Sequence, residues 1–207
     1  MPITIIEDLV QGTDEWFLAR AGYATGSQLG KIITPTGKPS AQQDDLIDKL
    51  AVEAVEHKFD ESFKSDWMKR GNELEPDAFD RFCFDKMVMV RKVGLIYRDG
   101  MRAACSPDGI FENEEIGLEI KCPKLSTYSK YHREGVLPDI YKPQVQGSMF
   151  ITGYEKWWFM VYHPGYQPFY LLVEPDRAYQ KAFSIILDAF LKKLDERIID
   201  LQALRDF

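Results

Sequence analysis

Residues 106–123 read SPDGIFENEEIGLEIKCP, and the fold turns on how they are taken. Asp108 stands just before the turn-forming Gly109, and a polar run, Glu112-Asn113-Glu114-Glu115, follows. Leu118, Ile120 and Cys122 then alternate with Glu119 and Lys121, which is the period of a β-strand. Neighbouring strand residues point to opposite faces, so Glu119 and Lys121 share one side and Leu118 and Ile120 the other. The Glu-rich run reads as a loop that lets the preceding strand fold back and carry Asp108 up beside Glu119. Two carboxylates and a lysine then meet at one point.

That grouping suits phosphodiester hydrolysis. Hard cations such as Mg²⁺ take oxygen ligands, keep several waters, and are held by one or two carboxylates plus substrate phosphates. Asp108 and Glu119 supply such a pair, with the Ile120 carbonyl as a further oxygen. A metal there lowers the pKa of a bound water and offsets charge on the attacked phosphate. Lys121 is set to orient the nucleophile or balance the developing charge. A plainer reading stands beside this one. Ser-Pro-Asp-Gly makes a good turn by itself, and Glu-Ile-Lys is how any half-exposed strand looks. On spacing alone the plainer reading leads.

With 207 residues, 45% of them hydrophobic, the chain can bury one substantial core, and a single α/β domain over 1–207 is the simplest organisation. Three cysteines, widely spaced and without a Cys-x-x-Cys pair, argue against disulfides and a zinc site and point to a reducing cytoplasm. The opening residues, MPITIIEDLVQG, do not read as a signal peptide. The most apolar stretch, 157–162, is too short to cross a membrane. The net charge of −7 argues against a surface coated in basic residues for nucleic acid. It leaves room for lysines and arginines confined to one groove or the lining of a hole.

Along the chain, residues 13–21 form a short helix with Thr13 as N-cap, acids in its first turn and Trp16 and Phe17 facing the core. Arg20, the following glycine loop and Ser27, which is placed to cap a second short helix over 28–33, read equally as an anion site or as an ordinary capped loop. Ser40 with Gln43 forms a capping box for a helix reaching His57. A further helical stretch runs to Phe84, interrupted at Pro76, with Glu73 and Glu75 just ahead of it. Strands are expected over 88–98 and 102–105. Residues 124–135 read as a basic, tyrosine-bearing loop with a composition that suits nucleic acid. Then come a helix over 141–151, a hairpin over 156–174, and a C-terminal helix with an apolar stripe that includes Ile185, Phe190, Leu194 and Ile198.

Ser106-Pro107-Asp108-Gly109 followed by Gly117-Leu118-Glu119-Ile120-Lys121-Cys122-Pro123 resembles the active-site hairpin of the PD-(D/E)XK nucleases. The likeness extends in order through Trp16…Arg20-x-Gly22 with Thr25-x-Ser27, Gly71…Glu75, Tyr97-Arg98-Asp99, and Gln144-Val145-Gln146 with Ser148-Met149. The ordered set resembles the lambda-exonuclease and YqaJ-type viral recombinase family over nearly the whole chain.

That resemblance implies a nuclease core with a central mixed β-sheet flanked by helices, assembled as a ring-shaped homotrimer. It implies a processive 5′→3′ exonuclease that uses Mg²⁺, two ions, with Mn²⁺ able to substitute. The substrate is a double-stranded DNA end, the products are mononucleotides and a 3′ overhang for recombination, and the partner is a single-strand annealing protein. Carried over by position, Asp108, Glu119 and the Ile120 carbonyl hold metal, Glu75 orders the second ion through water, and Lys121 assists the attacking water. Gln144 sits at the reacting phosphate, Arg20, Ser27 and Ser106 grip the 5′-phosphate, and Met68 is the wedge that parts the terminal base pair. Thr127 and Asp66 depart from the family pattern, standing where the resemblance implies basic residues, so the first contact is lost or passed to Lys124 or Lys130. A restriction- or repair-type endonuclease and a non-catalytic end-binding partner of an annealing protein are the alternatives.

Overall fold

The computed structural model of the chain describes residues 2–58 and 66–205. In chain order its strands are β1 (Ile3–Ile6), β2 (Ala24–Thr25), β3 (Val90–Arg91), β4 (Leu95–Arg98), β5 (Ala103–Cys105), β6 (Gly109–Phe111), β7 (Ile116–Lys121), β8 (Lys156–Val161) and β9 (Phe169–Val173). The α-helices are α1 (Asp14–Arg20), α2 (Gln43–Glu56), α3 (Asp66–Lys86), α4 (Leu125–Glu134), α5 (Lys142–Thr152) and α6 (Arg177–Ala203). A 3₁₀ segment, Gly26–Lys31, follows β2.

The strands form two sheets rather than the single central one expected. One runs β1-β4-β5-β2 and the other β3-β6-β7-β8-β9. Both are mixed: β2 lies parallel to β5 and β7 parallel to β8, and the other neighbours are antiparallel. The strand expected over 88–98 is cut at Gly94. Leu9 packs against Gly94 so closely that a Cβ there would lie 2.3 Å from the Leu9 Cβ. The Gly94 N–H turns to the Ile6 carbonyl at 2.9 Å, so the chain leaves one sheet and enters the other. The N-terminal strand β1 had no place in the sequence reading.

β8 divides the core. Trp157, Phe159 and Val161 join a large cluster with Leu46, Leu50 and Val145 and with Phe183, Phe190 and Leu194 of α6. Met160 and the half-buried Trp158 face Phe82 of α3, together with Ile116, Leu118 and Ile120 of β7. Side chains of this kind each contribute about 1.5–3 kcal/mol when fully buried. Ile185 does not belong to the α6 stripe and is 64% exposed. Phe183, Leu187, Phe190, Leu194 and Ile198 recur at helical spacing, whereas Ile185, two residues after Phe183, points about 200° away.

Local signals were partly misassigned. Thr13 caps α1 as expected, accepting from Trp16 N–H at 3.4 Å. The Thr25 N–H and hydroxyl both meet Gln28 Oε1, at 3.1 and 3.0 Å, so Thr25 rather than Ser27 opens the 3₁₀ segment. Ser40 accepts from Gln42 N–H, and α2 begins one residue later at Gln43, whose amide reaches the Ile32 carbonyl at 2.7 Å instead of closing a capping box. α3 continues through Pro76, its later half pinned by the fully buried Ala78 and Phe82. Residues 125–134 are helix, not loop: Tyr128 and Tyr131 are buried on one side, and Gly135 ends the helix with φ of 66°.

Candidate active site

The β6–β7 hairpin brings the two predicted acids together. Asp108, just ahead of β6, donates its own N–H to the Leu118 carbonyl at 3.0 Å. Its Oδ2 accepts the N–H of Ile120 at 2.5 Å. Glu119 and Lys121 share the face of β7 opposite Leu118 and Ile120, as alternation requires, but that face is covered as well. Glu119 is only 3% exposed, so the half-exposed-strand reading fails. Glu119 Oε1 accepts from the Lys121 ammonium and from the Gln144 amide of α5, the latter at 2.6 Å.

Electrostatics follow from this crowding. Burial pushes the Asp108 carboxyl well above the usual carboxylate range, and the charges of Glu119 and Glu75 push it further. Burial works against the Lys121 ammonium. The Glu119 and Asp108 carboxylates outweigh it and hold the pKa above that of an ordinary lysine. Glu75, on α3, forms an ion pair with Lys92 at 3.3 Å.

Glu75, Asp108, Glu119, Ile120, Lys121 and Gln144 all line one open cavity of about 640 Å³. Arg20, Ser27 and Ser106 line the same cavity. The Arg20 guanidinium lies over the Trp16 ring at 3.8 Å and donates to Thr25 Oγ1 at 2.8 Å. Met68 falls on α3, and its side chain lies outside the described residues, as does that of Asp66.

Among the described residues, no group of three or more His, Cys, Asp and Glu side chains closes up into a cage for a metal ion. The donor set still fits a hard cation. Asp108 and Glu119 offer carboxylate oxygens beside the Ile120 carbonyl, and Glu75, paired with Lys92, lines the same cavity. Mg²⁺ asks for little more, since water and phosphate complete its octahedron.

The YqaJ-like viral recombinase domain matches residues 15–155, which takes in Arg20, Ser27, Glu75, Ser106, Asp108, Glu119, Lys121 and Gln144. The chain belongs to the YqaJ-like viral recombinase family. Among solved structures, the alkaline exonuclease LHK-Exo of Laribacter hongkongensis is 28% identical with a TM-score of 0.82, covering 92% of this chain and 97% of that one. The same enzyme in complex with dAMP matches with a TM-score of 0.81 at 28% identity, over 92% and 97% of the two chains. A phage-related exonuclease from Haemophilus somnus 129PT shares the fold at 15% identity and a TM-score of 0.64, over 86% of this chain and 96% of its own. No curated protein matches the chain.

Thr127, where the resemblance expects a basic residue, and Lys124, one of its expected substitutes, both line the cavity. Lys130 instead pairs with Glu134 at 3.9 Å. Sequence reasoning missed several lining residues. Trp16, assigned only to the core, donates its indole N–H to the Gly94 carbonyl at 2.8 Å and to Ser106 Oγ at 3.2 Å. It therefore floors the Arg20–Ser106 side. The Gln11 amide ties the Val93 and Pro107 carbonyls together, at 3.1 and 3.0 Å. Nothing local marks Gln11, because its partners lie more than eighty residues along the chain. Ser148 could have been found, since it follows Gln144 by one helical turn on the same face of α5. Among the described residues no helix is long and apolar enough to cross a membrane.

Proposed function

We propose that the chain is a Mg²⁺-dependent exonuclease that enters linear duplex DNA at a 5′-phosphorylated end. It degrades one strand processively 5′→3′ to mononucleotides and leaves a 3′ overhang for recombination. A DNA exonuclease role rests on the family and on the likeness to the alkaline exonuclease. The finer reading rests on one observation: a single cavity holds both a carboxylate pair with its lysine and a separate cluster of anion donors, Arg20, Ser27 and Ser106. The dAMP bound by the Laribacter enzyme, a nucleoside monophosphate, is in keeping with a mononucleotide product.

In this reading Asp108, Glu119 and the Ile120 carbonyl hold the ion, with Glu75 reaching a second through water. Once bound, the metal supplies a water of lowered pKa and charge to offset the attacked phosphate. Lys121, kept protonated by its two acid neighbours, holds the nucleophile and balances negative charge as it develops. Gln144 fixes Glu119 from α5 and presents its amide toward the scissile phosphate. Arg20, Ser27 and Ser106 take the terminal phosphate, which sets where the reacting bond falls and so makes the cut exonucleolytic.

A net charge of −7 fits a ring-shaped homotrimer whose basic groups line the passage while its exterior stays acidic. A single-strand annealing protein as partner and a cytoplasmic setting complete the proposal. Purified protein with Mg²⁺ is given matched linear and circular duplexes, with and without 5′-phosphate. Loss of linear DNA from its 5′ ends, with circles untouched, is expected. Equal rates on circles and ends, discrete internal cuts, or digestion from the 3′ end would contradict it.

A further inference from the structure

Arg20 and Glu53 each bury a polar atom without a hydrogen-bond partner among the described residues: Nε of the arginine and Oε1 of the glutamate. One is a donor and the other an acceptor, and both meet the turn at Gly22. Arg20 closes α1 and reaches the cavity, flattened on Trp16 and anchored through Nη2 to Thr25. Glu53 comes from α2, is 3% exposed, and accepts the N–H of Gly22, two residues past Arg20, at 3.3 Å on Oε2. Lys49 forms an ion pair with Oε1 at 3.6 Å, one turn back on α2 and longer than a hydrogen bond. Burial pulls the Arg20 guanidinium down to about 10 against the attraction of Glu53. Burial pushes the Glu53 carboxyl up, opposed first by the Gly22 N–H, then by Lys49, and last by the Arg20 charge. Buried polar groups are rarely left orphaned, and a guanidinium is a rigid fork whose edges can serve two anions at once.

We infer that Glu53 is the positioning residue for Arg20. One of its oxygens holds the turn through the Gly22 N–H. The other faces the Nε edge of the guanidinium through one buried water, and leaves the remaining Nη donors to the 5′-phosphate. Nothing in the reacting hairpin touches Glu53; it acts only through Arg20. A guanidinium fixed in advance loses little freedom when the phosphate arrives. The inference rests on the phosphate-pocket reading given above and adds the element that aims the pocket.

Initial rates are measured on linear duplexes bearing 5′-phosphate or 5′-hydroxyl, for the full chain and for Glu53→Gln, Glu53→Asp, Arg20→Ala and the double variant Arg20→Ala/Glu53→Gln. Glu53→Gln keeps the shape and removes the charge. It is expected to cut the preference for phosphorylated ends about tenfold, mostly through KM, the loss of one hydrogen bond to a charged group. Glu53→Asp keeps more of the preference, and Glu53→Gln adds no further loss once Arg20 is alanine. A preference unchanged in Glu53→Gln, or a loss shared equally by hydroxyl ends, overturns the inference while leaving the exonuclease standing. Absence of any DNA degradation by the unsubstituted protein overturns the functional reading itself. The Arg20 Nε–H resonance of the unsubstituted protein, assigned by its loss in Arg20→Lys, gives a second check. A hydrogen-bonded position protected from solvent exchange, which Glu53→Gln shifts, is expected, and a position among the solvent-exposed arginines contradicts the inference.

Discussion

The carboxylate of Asp108 is held by the backbone N–H of Ile120, the residue that separates Glu119 from Lys121. This bond fixes the hairpin register at the site. With Gly109 opposite Leu118, a one-residue slip would turn Glu119 and Lys121 to the α3 side and put Leu118 and Ile120 in the cavity. The chemistry is thus set by strand pairing as much as by residue type.

Replacing either acid isosterically, Asp108→Asn or Glu119→Gln, should lower turnover by at least about 10³-fold, because metal stabilisation of the transition state is worth several kcal/mol. Binding to DNA ends should survive, since Arg20, Ser27 and Ser106 are untouched. Gel shift alongside single-turnover cleavage separates the two. End binding lost in step with cleavage would mean that the acids only support the fold.

Lys121→Met should reduce the chemical step by roughly 10²-fold while Mg²⁺ affinity stays nearly constant, because the ammonium acts on charge that develops in the transition state. Calorimetric titration of the metal, paired with rapid-quench kinetics, reads both quantities. A matching fall in metal affinity would assign Lys121 to shaping the site instead.

Arg20→Ala should slow 5′-phosphorylated ends about tenfold or more and leave 5′-hydroxyl ends near their starting rate, since a charged hydrogen bond to phosphate is what it removes. Competition between the two substrates in one tube gives the ratio without reference to enzyme concentration. Equal slowing of both ends would place the phosphate grip elsewhere.

Asp176 caps α6 by accepting from Tyr179 N–H at 3.0 Å and pairs with Lys142 at 2.9 Å. These two partners hold its carboxyl below the usual range. The sign follows from linkage: a depressed carboxylate stabilises the folded chain above the unfolded pKa, and that contribution is lost as pH falls through the folded value. Asp176→Ala should therefore cost about 1 kcal/mol at neutral pH, and the gap to the parent should close below about pH 4. Urea unfolding across pH is the measurement, and a gap that does not change with pH would refute the cap assignment.

Gly117→Ala should destabilise the chain by about 1–3 kcal/mol, as overpacking does. The added Cβ would lie 2.4 Å from the Trp157 ring, on the β7 face that carries Glu119. Activity should fall with stability, because the strand must shift to make room. Thermal unfolding and cleavage rate on the same preparation test the coupling.

The catalytic hairpin was legible because period-two alternation states which residues share a face, and the acid–lysine pair needed only that. Its burial was not legible, since charge at alternate positions looks the same whether the face meets water or α5. The 88–98 strand was misread for a physical reason: the break at Gly94 is imposed by Leu9, which no local window contains. Residues 125–134 read as a loop because their polar, basic composition masks Tyr128 and Tyr131, three residues apart on one helix face and ahead of a glycine stop. The contact of Glu53 with Gly22 bridges thirty-one residues, so no local stretch of sequence contains it. Long-range contacts of this kind shape the Arg20 side of the cavity, whereas Asp108, Glu119 and Lys121 lie within one hairpin.

The central claim is that Asp108 and Glu119 jointly bind a divalent ion. Crystals soaked in Mn²⁺ and measured at its absorption edge test this most directly. The account predicts an anomalous peak bonded to both carboxylates and to the Ile120 carbonyl, lost in Asp108→Asn. A cavity without such a peak, or a peak bonded to neither acid, would contradict it.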